Sequence, residues 1–266
     1  LVAQVAAGSP AQLAGVRMSD EVLAVDGRPT SAQRADLVTA RLKGAPGSTV
    51  VLSLKRDGQR RPVTLMRVLT DDRSVTTGML PDQVGLIVVP TFHHGTGREV
   101  RDAVKSLRRR GVAGLILDLR GNPGGLLSEA VATAGAFLDG GHVVTYARRD
   151  EPPQRLNGDG SLDTVTPLVV LVDGSTASAA EVVAGALQDR DRAVIVGART
   201  FGKGSVQEPR TLPDGSSLAL TVARYTLPSG RSVEGVGVEP DITVGTDAAI
   251  SRGREVLIGL RANVDG

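Results

Sequence analysis

Two side chains in the second half of the chain could between them activate a hydroxyl group. Ser178 stands in "DGSTASAAEVVAGALQD", residues 173–189, and Lys203 follows 25 residues later in "GARTFGKGSVQ", residues 197–207. A serine hydroxyl is a weak nucleophile until a neighbouring base takes its proton. A desolvated lysine can be that base, whereas a guanidinium cannot. Composition makes the lysine informative: only four of the 31 basic residues are lysines, Lys43, Lys55, Lys105 and Lys203. Phe201 and Val206 are available to wall the amine off from water.

Each residue also has a structural reading. "SAAE" at 178–181 fits a capping box, in which Ser178 caps a helix and Glu181 reaches back to it. The preceding strand "PLVVLVDG" nevertheless delivers a tight turn onto that helix N-terminus, which exposes a side chain and aims free amides at developing negative charge. The segment departs from G-x-S-x-G, so it is not a hydrolase elbow. Around Lys203, "GARTFGKG" satisfies G-x-x-x-x-G-K after a strand. It fails as a nucleotide site because Gly204 replaces the magnesium-binding Ser/Thr and no helical period follows. Three histidines, His93, His94 and His142, carry no local partner signature for a triad, and the sequence leaves that route open without favouring it. They do not form a metal-ligand pattern either.

A third segment, "LDLRGNPGGLL" at 117–127, runs from a buried strand through Gly, Asn, Pro, Gly and Gly into a helix. Glycine lets another chain approach the backbone closely. The turn is either an ordinary connection or one half of an oxyanion hole, with the Ala179 amide as the other half.

The elements that must hold these residues read as strand–helix alternation from about residue 81 onward. "VGLIVVPTF", "GLILDL", "HVVTYARR", "PLVVLVDG" and "RAVIVG" are strands. "GREVRDAVKSLRRRG", "LLSEAVATAGAFLDG" and "SAAEVVAGALQD" are helices, and β segments follow Lys203 before a final helix at about 247–262. This pattern favours an α/β layered domain. Residues 1–68 read differently, as a small β-rich module. "LVAQV" and "EVLAVDG" are strands, "SPAQLAG" is a short helix capped by Ser9, "SAQRADLVTARLKG" is a second helix, and "STVVLSLKRDGQRRPVTLM" is a hairpin across Asp57-Gly58. Residues 69–80 read as a polar connector. "GSPAQLAGVRMSDEVLAVDGRPT" resembles the middle of a PDZ domain, a fold in which a peptide adds beside a sheet edge. The chain starts after the strand and carboxylate-binding loop that such a domain carries, so the module is expected to be N-terminally truncated.

Bulk properties narrow the function classes. The chain of 266 residues has a net charge of +2, 41% hydrophobic residues and 2% aromatics. Neither an electrostatic pull nor aromatic stacking favours nucleic acid. Cysteine is absent, which removes disulfides, thiol nucleophiles and thiolate metal sites. No apolar run is long enough to span a membrane, and no signal peptide opens the sequence.

Taken together, "DLRGNPGGLL", "STASAAE…AGALQDRDRAVIVG", "TFGKGSVQ" and "YTLPSGRSVEGVGVEPDI" resemble the carboxyl-terminal processing, or tail-specific, proteases of the serine/lysine type. With the PDZ-like module they cover nearly the whole chain in that family's order. The resemblance implies a crotonase-like ββα catalytic domain at 81–266. It also implies Ser178 as nucleophile, Lys203 as general base, Gln207 orienting the lysine amine, and Gly124 and Ala179 as oxyanion-hole amides. Ala180 stands where the family's turn has a second serine. The implied partners are polypeptides with apolar C-terminal tails, with no nucleotide, nucleic acid, metal or organic cofactor, and with a location outside the cytoplasm. Oligomeric state is not legible. The rival readings are a peptide-binding scaffold that has lost catalysis and an acyl-CoA enzyme of the crotonase type, the latter resting on architecture alone.

Overall fold

The structure, a computed structural model, describes residues 2, 5, 9–31, 38, 41–56, 58–68, 75–160, 162–211 and 217–262. The side chains of 207–220 lie outside that description. The chain divides into two compact units, Leu1–Asp72 and Arg73–Gly266.

In the first unit, helix α1 (Pro10–Leu13) starts as the sequence dictates. Ser9 Oγ accepts the Gln12 N–H at 3.2 Å and proline fills the first helical position. Strands β1 (Glu21–Val25), β2 (Arg28–Pro29), β3 (Thr49–Arg56) and β4 (Gln59–Met66) make one antiparallel sheet in the order β2-β1-β3-β4. Alternation along β3 buries Val50, Leu52 and Leu54 against Val16, Val25 and Val63. The strand expected at "LVAQV" and the helix expected at "SAQRADLVTARLKG" fall largely outside the described residues.

The second unit is built on a six-stranded sheet. Its strands are β5 (Thr76–Leu80), β6 (Val84–Val88), β7 (Gly114–Asp118), β10 (Leu168–Val172), β11 (Val194–Gly197) and β14 (Ile242–Thr243). They lie in the order β14-β11-β10-β7-β6-β5, parallel except for β5. β7 and β10 are buried at every position because helices cover both faces. Leu115, Leu117, Leu168, Val170 and Val172 point to the face covered by α2 (Thr96–Arg109), α3 (Leu127–Gly135) and α4 (Ala179–Asp189). Ile116, Val169 and Leu171 point the other way, onto α5 (Ala249–Ala262). A second sheet, in the order β12-β13-β8-β9, contains β8 (Gly141–Arg148), β9 (Gln154–Gly158), β12 (Ser205–Thr211) and β13 (Ser217–Thr226).

Three strands of the second unit were not expected, among them the two-residue β14 beside β11. Residues 76–80, read as connector, form β5 along the edge of the large sheet. β9 carries "QRLNG", a half-exposed edge sequence without clear alternation. The other catalytic-unit elements lie where the pattern places them, with ends displaced by a few residues.

The topology puts the three chemistry-bearing segments together. β7, β10 and β11 are parallel neighbours, and the turns after β7 and β10 and the loop after β11 leave from the same carboxyl edge. That edge is where α/β sheets place their sites.

The small unit contains one group whose protonation bears on stability. Asp20 is 1% exposed and takes Arg56 Nε and Nη2 on its two oxygens, at 2.6 and 2.7 Å. Arg17 N–H adds a third bond at 2.8 Å. The Arg56 hydrogen bonds outweigh burial and lower the Asp20 pKa from 3.8 to about 2. A lowered folded-state value stabilises above the unfolded value and ceases to do so as pH falls through the folded one. Stability of the first unit should therefore decline between about pH 4 and pH 2, and Asp20→Asn should flatten that dependence while weakening the unit at neutral pH. Hydrogen exchange of the β3 amides, corrected for intrinsic rate, measures both.

Candidate active site

Ser178 sits at the mouth of α4, half-buried, with φ 56° and ψ −120°. That conformation is sparsely populated for a residue with a side chain. The turn before it enforces it. Asp173 accepts the N–H groups of Ser175 and Thr176 on Oδ1, at 2.9 and 3.0 Å, and that of Gly121 at 3.0 Å. Buried Thr176 gives its hydroxyl to the Leu119 carbonyl at 2.9 Å, and its own carbonyl takes the Phe201 N–H at 3.0 Å. Ala177 N–H donates to the Asn122 carbonyl at 2.9 Å. The serine turn is thus tied to both the β7 turn and the lysine loop.

Glu181 makes the strongest tie. Its side chain is fully buried, and four donors converge on it. Oε2 accepts the Ser178 N–H and the Lys203 N–H, each at 2.8 Å. Oε1 accepts the Gly202 N–H at 2.7 Å and the Thr200 hydroxyl. The capping-box reading of Glu181 covers the first of these bonds; the other three come from a loop about 20 residues away in sequence. One carboxylate oxygen therefore holds the backbone of both members of the proposed pair.

Gly124 closes the other side. A Cβ built on it would lie 2.9 Å from Ser178 Cβ and 3.1 Å from the Ala179 nitrogen, and its φ is +103°. Only glycine fits that approach. Ala179 opens α4, where a helix leaves its first amides without intrahelical partners. Gly124 N–H itself donates to Asn122 Oδ1 at 2.8 Å, while Asn122 Nδ2 donates to the Val89 carbonyl at 2.7 Å. Asn122 is fully buried. The asparagine side chain thus occupies the donor that the oxyanion reading assigns to substrate.

The expected residues are not all joined. Lys203 is exposed, and among the described residues its amine makes no hydrogen bond or ion pair. The apolar wall expected from Phe201 is absent, since that ring is 68% exposed; Val206 instead packs against the main core. The side chain of Gln207 lies outside the described residues, and its backbone pairs with Thr221 beside a register shift. His142 bonds Thr145 on β8, and His93 bonds the His94 carbonyl; these bonds give neither ring a link to Ser178.

Sequence reasoning missed Tyr225, which is buried on β13 and whose backbone N–H donates to the Gly204 carbonyl, directly after Lys203, at 2.8 Å. Burial raises the phenol pKa above its ordinary value and Tyr146 adds to the rise, while Ser178 acts the other way. It also missed the pair Asp118–Arg120. Arg120 Nε and Nη2 reach the two Asp118 oxygens at 2.8 and 2.6 Å, and Nη1 reaches the Thr246 carbonyl at 2.7 Å. This clamp fixes the start of the Gly121–Gly125 turn. The Asn-Pro-Gly run was a legible signal for the Asn122 bond, because asparagine side chains hydrogen-bond backbone two residues on.

Comparison with known proteins fits this geometry. A family model described as peptidase family S41 matches residues 83–244, more than half of the chain. This chain belongs to peptidase family S41. A PDZ domain model matches residues 1–66 of the same S41 chain. The carboxyl-terminal-processing protease of Synechocystis sp. is 39% identical over 244 residues, covering 90% of this chain and 57% of that protein. The carboxy-terminal processing protease CtpA of Bacillus subtilis is 33% identical over 237 residues, covering 88% and 51%. Among solved structures, a photosystem II D1 C-terminal processing protease aligns with a TM-score of 0.60 at 37% identity, over 90% of this chain and 66% of the other. The S41 chain thus spans between half and two thirds of these relatives. Among the described residues, no helix is long and apolar enough to cross a membrane.

Two outcomes follow from the site. Glu181→Gln places an amide NH2 against two of four donors, and should cost about 1–3 kcal/mol in a denaturant titration. Turnover of a peptide substrate should fall roughly 10²-fold with it, the scale of a misplaced reacting group. Ser178→Gly should melt above Ser178→Ala, because relief of strain worth about 1–3 kcal/mol exceeds the extra backbone entropy of glycine, about 0.5–1 kcal/mol. Calorimetry on the two variants tests the order.

Proposed function

We propose that this chain carries the catalytic domain of a serine endopeptidase that cuts polypeptides near their C-terminal tails. In this reading Lys203 takes the Ser178 proton and Oγ attacks the scissile carbonyl carbon. The resulting oxyanion is held by the Gly124 and Ala179 amides. Collapse breaks the C–N bond, and the lysine ammonium returns its proton to the leaving amine. Water, deprotonated by the same amine, then hydrolyses the acyl-enzyme. Gln207 orients the amine by hydrogen bonding. No metal or organic cofactor enters any step.

One observation carries the reading. The Ser178 and Lys203 amides share a single buried carboxylate oxygen, and Gly124 packs against Ser178 and the Ala179 nitrogen. Two local movements separate this arrangement from a reactive one. The Lys203 side chain must swing from solvent to Ser178, and the Gly124 N–H must leave Asn122. Substrates with apolar tails and action outside the cytoplasm belong to the same proposal, supported by the family resemblance and by a relative named as chloroplastic, from Tetradesmus obliquus.

The exposed lysine favours the rival reading, a scaffold that binds peptides without cutting them. Intact-mass analysis of an unfolded protein with an apolar tail, incubated with wild type, Ser178→Ala and Lys203→Ala, separates the two. Cleavage near the tail by wild type alone is the expected result. Binding by folded wild type with every substrate left whole would overturn it in favour of the scaffold.

A further inference from the structure

The loop that carries Lys203 divides its amides between two carboxylates. Glu181 takes the N–H groups of Gly202 and Lys203, at 2.7 and 2.8 Å. The next N–H, that of Gly204, donates instead to Glu234 Oε2 at 2.7 Å. Ser205 Oγ donates to the other oxygen of Glu234 at 3.3 Å. Gly204 is held at its carbonyl as well, by the Tyr225 N–H at 2.8 Å. A Cβ on Gly204 would fall 2.7 Å from the Glu234 nitrogen, so only glycine lets the two segments come this close.

A peptide unit is planar, so an anchored N–H orients the whole unit. The two planes that meet at the Lys203 Cα carry the Lys203 and Gly204 N–H groups, and each is tied to a different carboxylate. Together they set φ and ψ of Lys203, and with them the direction in which its side chain leaves the backbone. We propose that Glu234 is a positioning residue for Lys203: by clamping the 203–204 peptide, it leaves only side-chain torsions between the exposed amine and Ser178. The inference rests on the Ser178–Lys203 reading and adds a residue which that reading does not require.

The segment that carries Glu234 is itself firmly seated. Buried Val233 and Val238 form a small apolar cluster with Leu227. The segment runs along the lysine loop, where the Thr200 N–H donates to the Val238 carbonyl at 3.1 Å and the Gly235 N–H to the Gly202 carbonyl at 2.9 Å. The Glu234 N–H is closed by Ser232 Oγ at 3.2 Å. Its side chain is exposed, and among the described residues it makes no ion pair. The carboxylate is thus committed to the loop and not to a cation, and a bond to an ionised acceptor is the stronger kind.

The test compares wild type, Glu234→Ala, Glu234→Gln and Glu234→Asp, each also with Lys203→Ala, and thermal melting checks folding. Turnover of a peptide with an apolar tail and the rate of Ser178 labelling by a fluorophosphonate are read. Glu234→Ala is expected to lower kcat and the labelling rate roughly tenfold with KM within about twofold, the scale of one lost hydrogen bond felt after substrate has bound. Glu234→Gln, whose amide oxygen can still accept the Gly204 N–H, should recover most of that loss. Glu234→Asp, a methylene shorter, should not. Alongside Lys203→Ala, none of the three should slow the residual labelling further, because Glu234 acts through the lysine. Where that residual rate is too slow to read, the Gln and Asp variants decide alone. Wild-type kcat in Glu234→Ala would overturn the assignment, as would an equal loss in the absence of the lysine. A Gln variant as slow as Ala would overturn it too, since the charge and not the bond would then matter. Should Glu234→Ala fail to fold, wild-type kcat in Glu234→Asp would have the same force. Full turnover by Lys203→Ala would instead remove the underlying reading, and Glu234's role with it.

Discussion

A carboxylate buried at a helix N-terminus organises this site. Glu181 has no solvent to fall back on, so its oxygens must find donors inside the protein. They find them on Ser178, Thr200, Gly202 and Lys203. The start of α4 and the loop leaving β11 are thereby locked to one point. The rest of the second unit serves that lock. Parallel β7, β10 and β11 bring three segments to one edge, and Asp173, Thr176 and Arg120 hold each turn in shape.

Much of this fold was legible because its central strands are unmixed apolar runs. "GLILD" and "LVVLV" can only be strands buried on both faces, and each ends in a glycine-containing turn before a helix. Ser178 and Gly124 stood out for the same reason. β5 and β9 did not, because edge strands need satisfy only one neighbour and one face, and their sequences carry little alternation. The polar composition of 69–80 pointed to a connector although 76–80 is paired with β6.

The site residues that escaped notice are those whose partners are remote. Glu181 shows its local bond in the tetrapeptide "SAAE", but its bonds to 200–203 exist only once β10 and β11 are side by side. Tyr225 lies 47 positions from Ser178 in sequence and joins the lysine loop through its bond to the Gly204 carbonyl. The exposure of Lys203 could not be read from glycine-rich flanks, because glycine permits both an inward and an outward course for the chain.

The backbone at Ser178 has a further meaning. A residue with φ of 56° and ψ of −120° occupies ground that glycine holds at less cost. A lineage relieved of any need for the hydroxyl would gain stability by the exchange, and random substitution would find it in a single step. Serine at this position stands against that gradient.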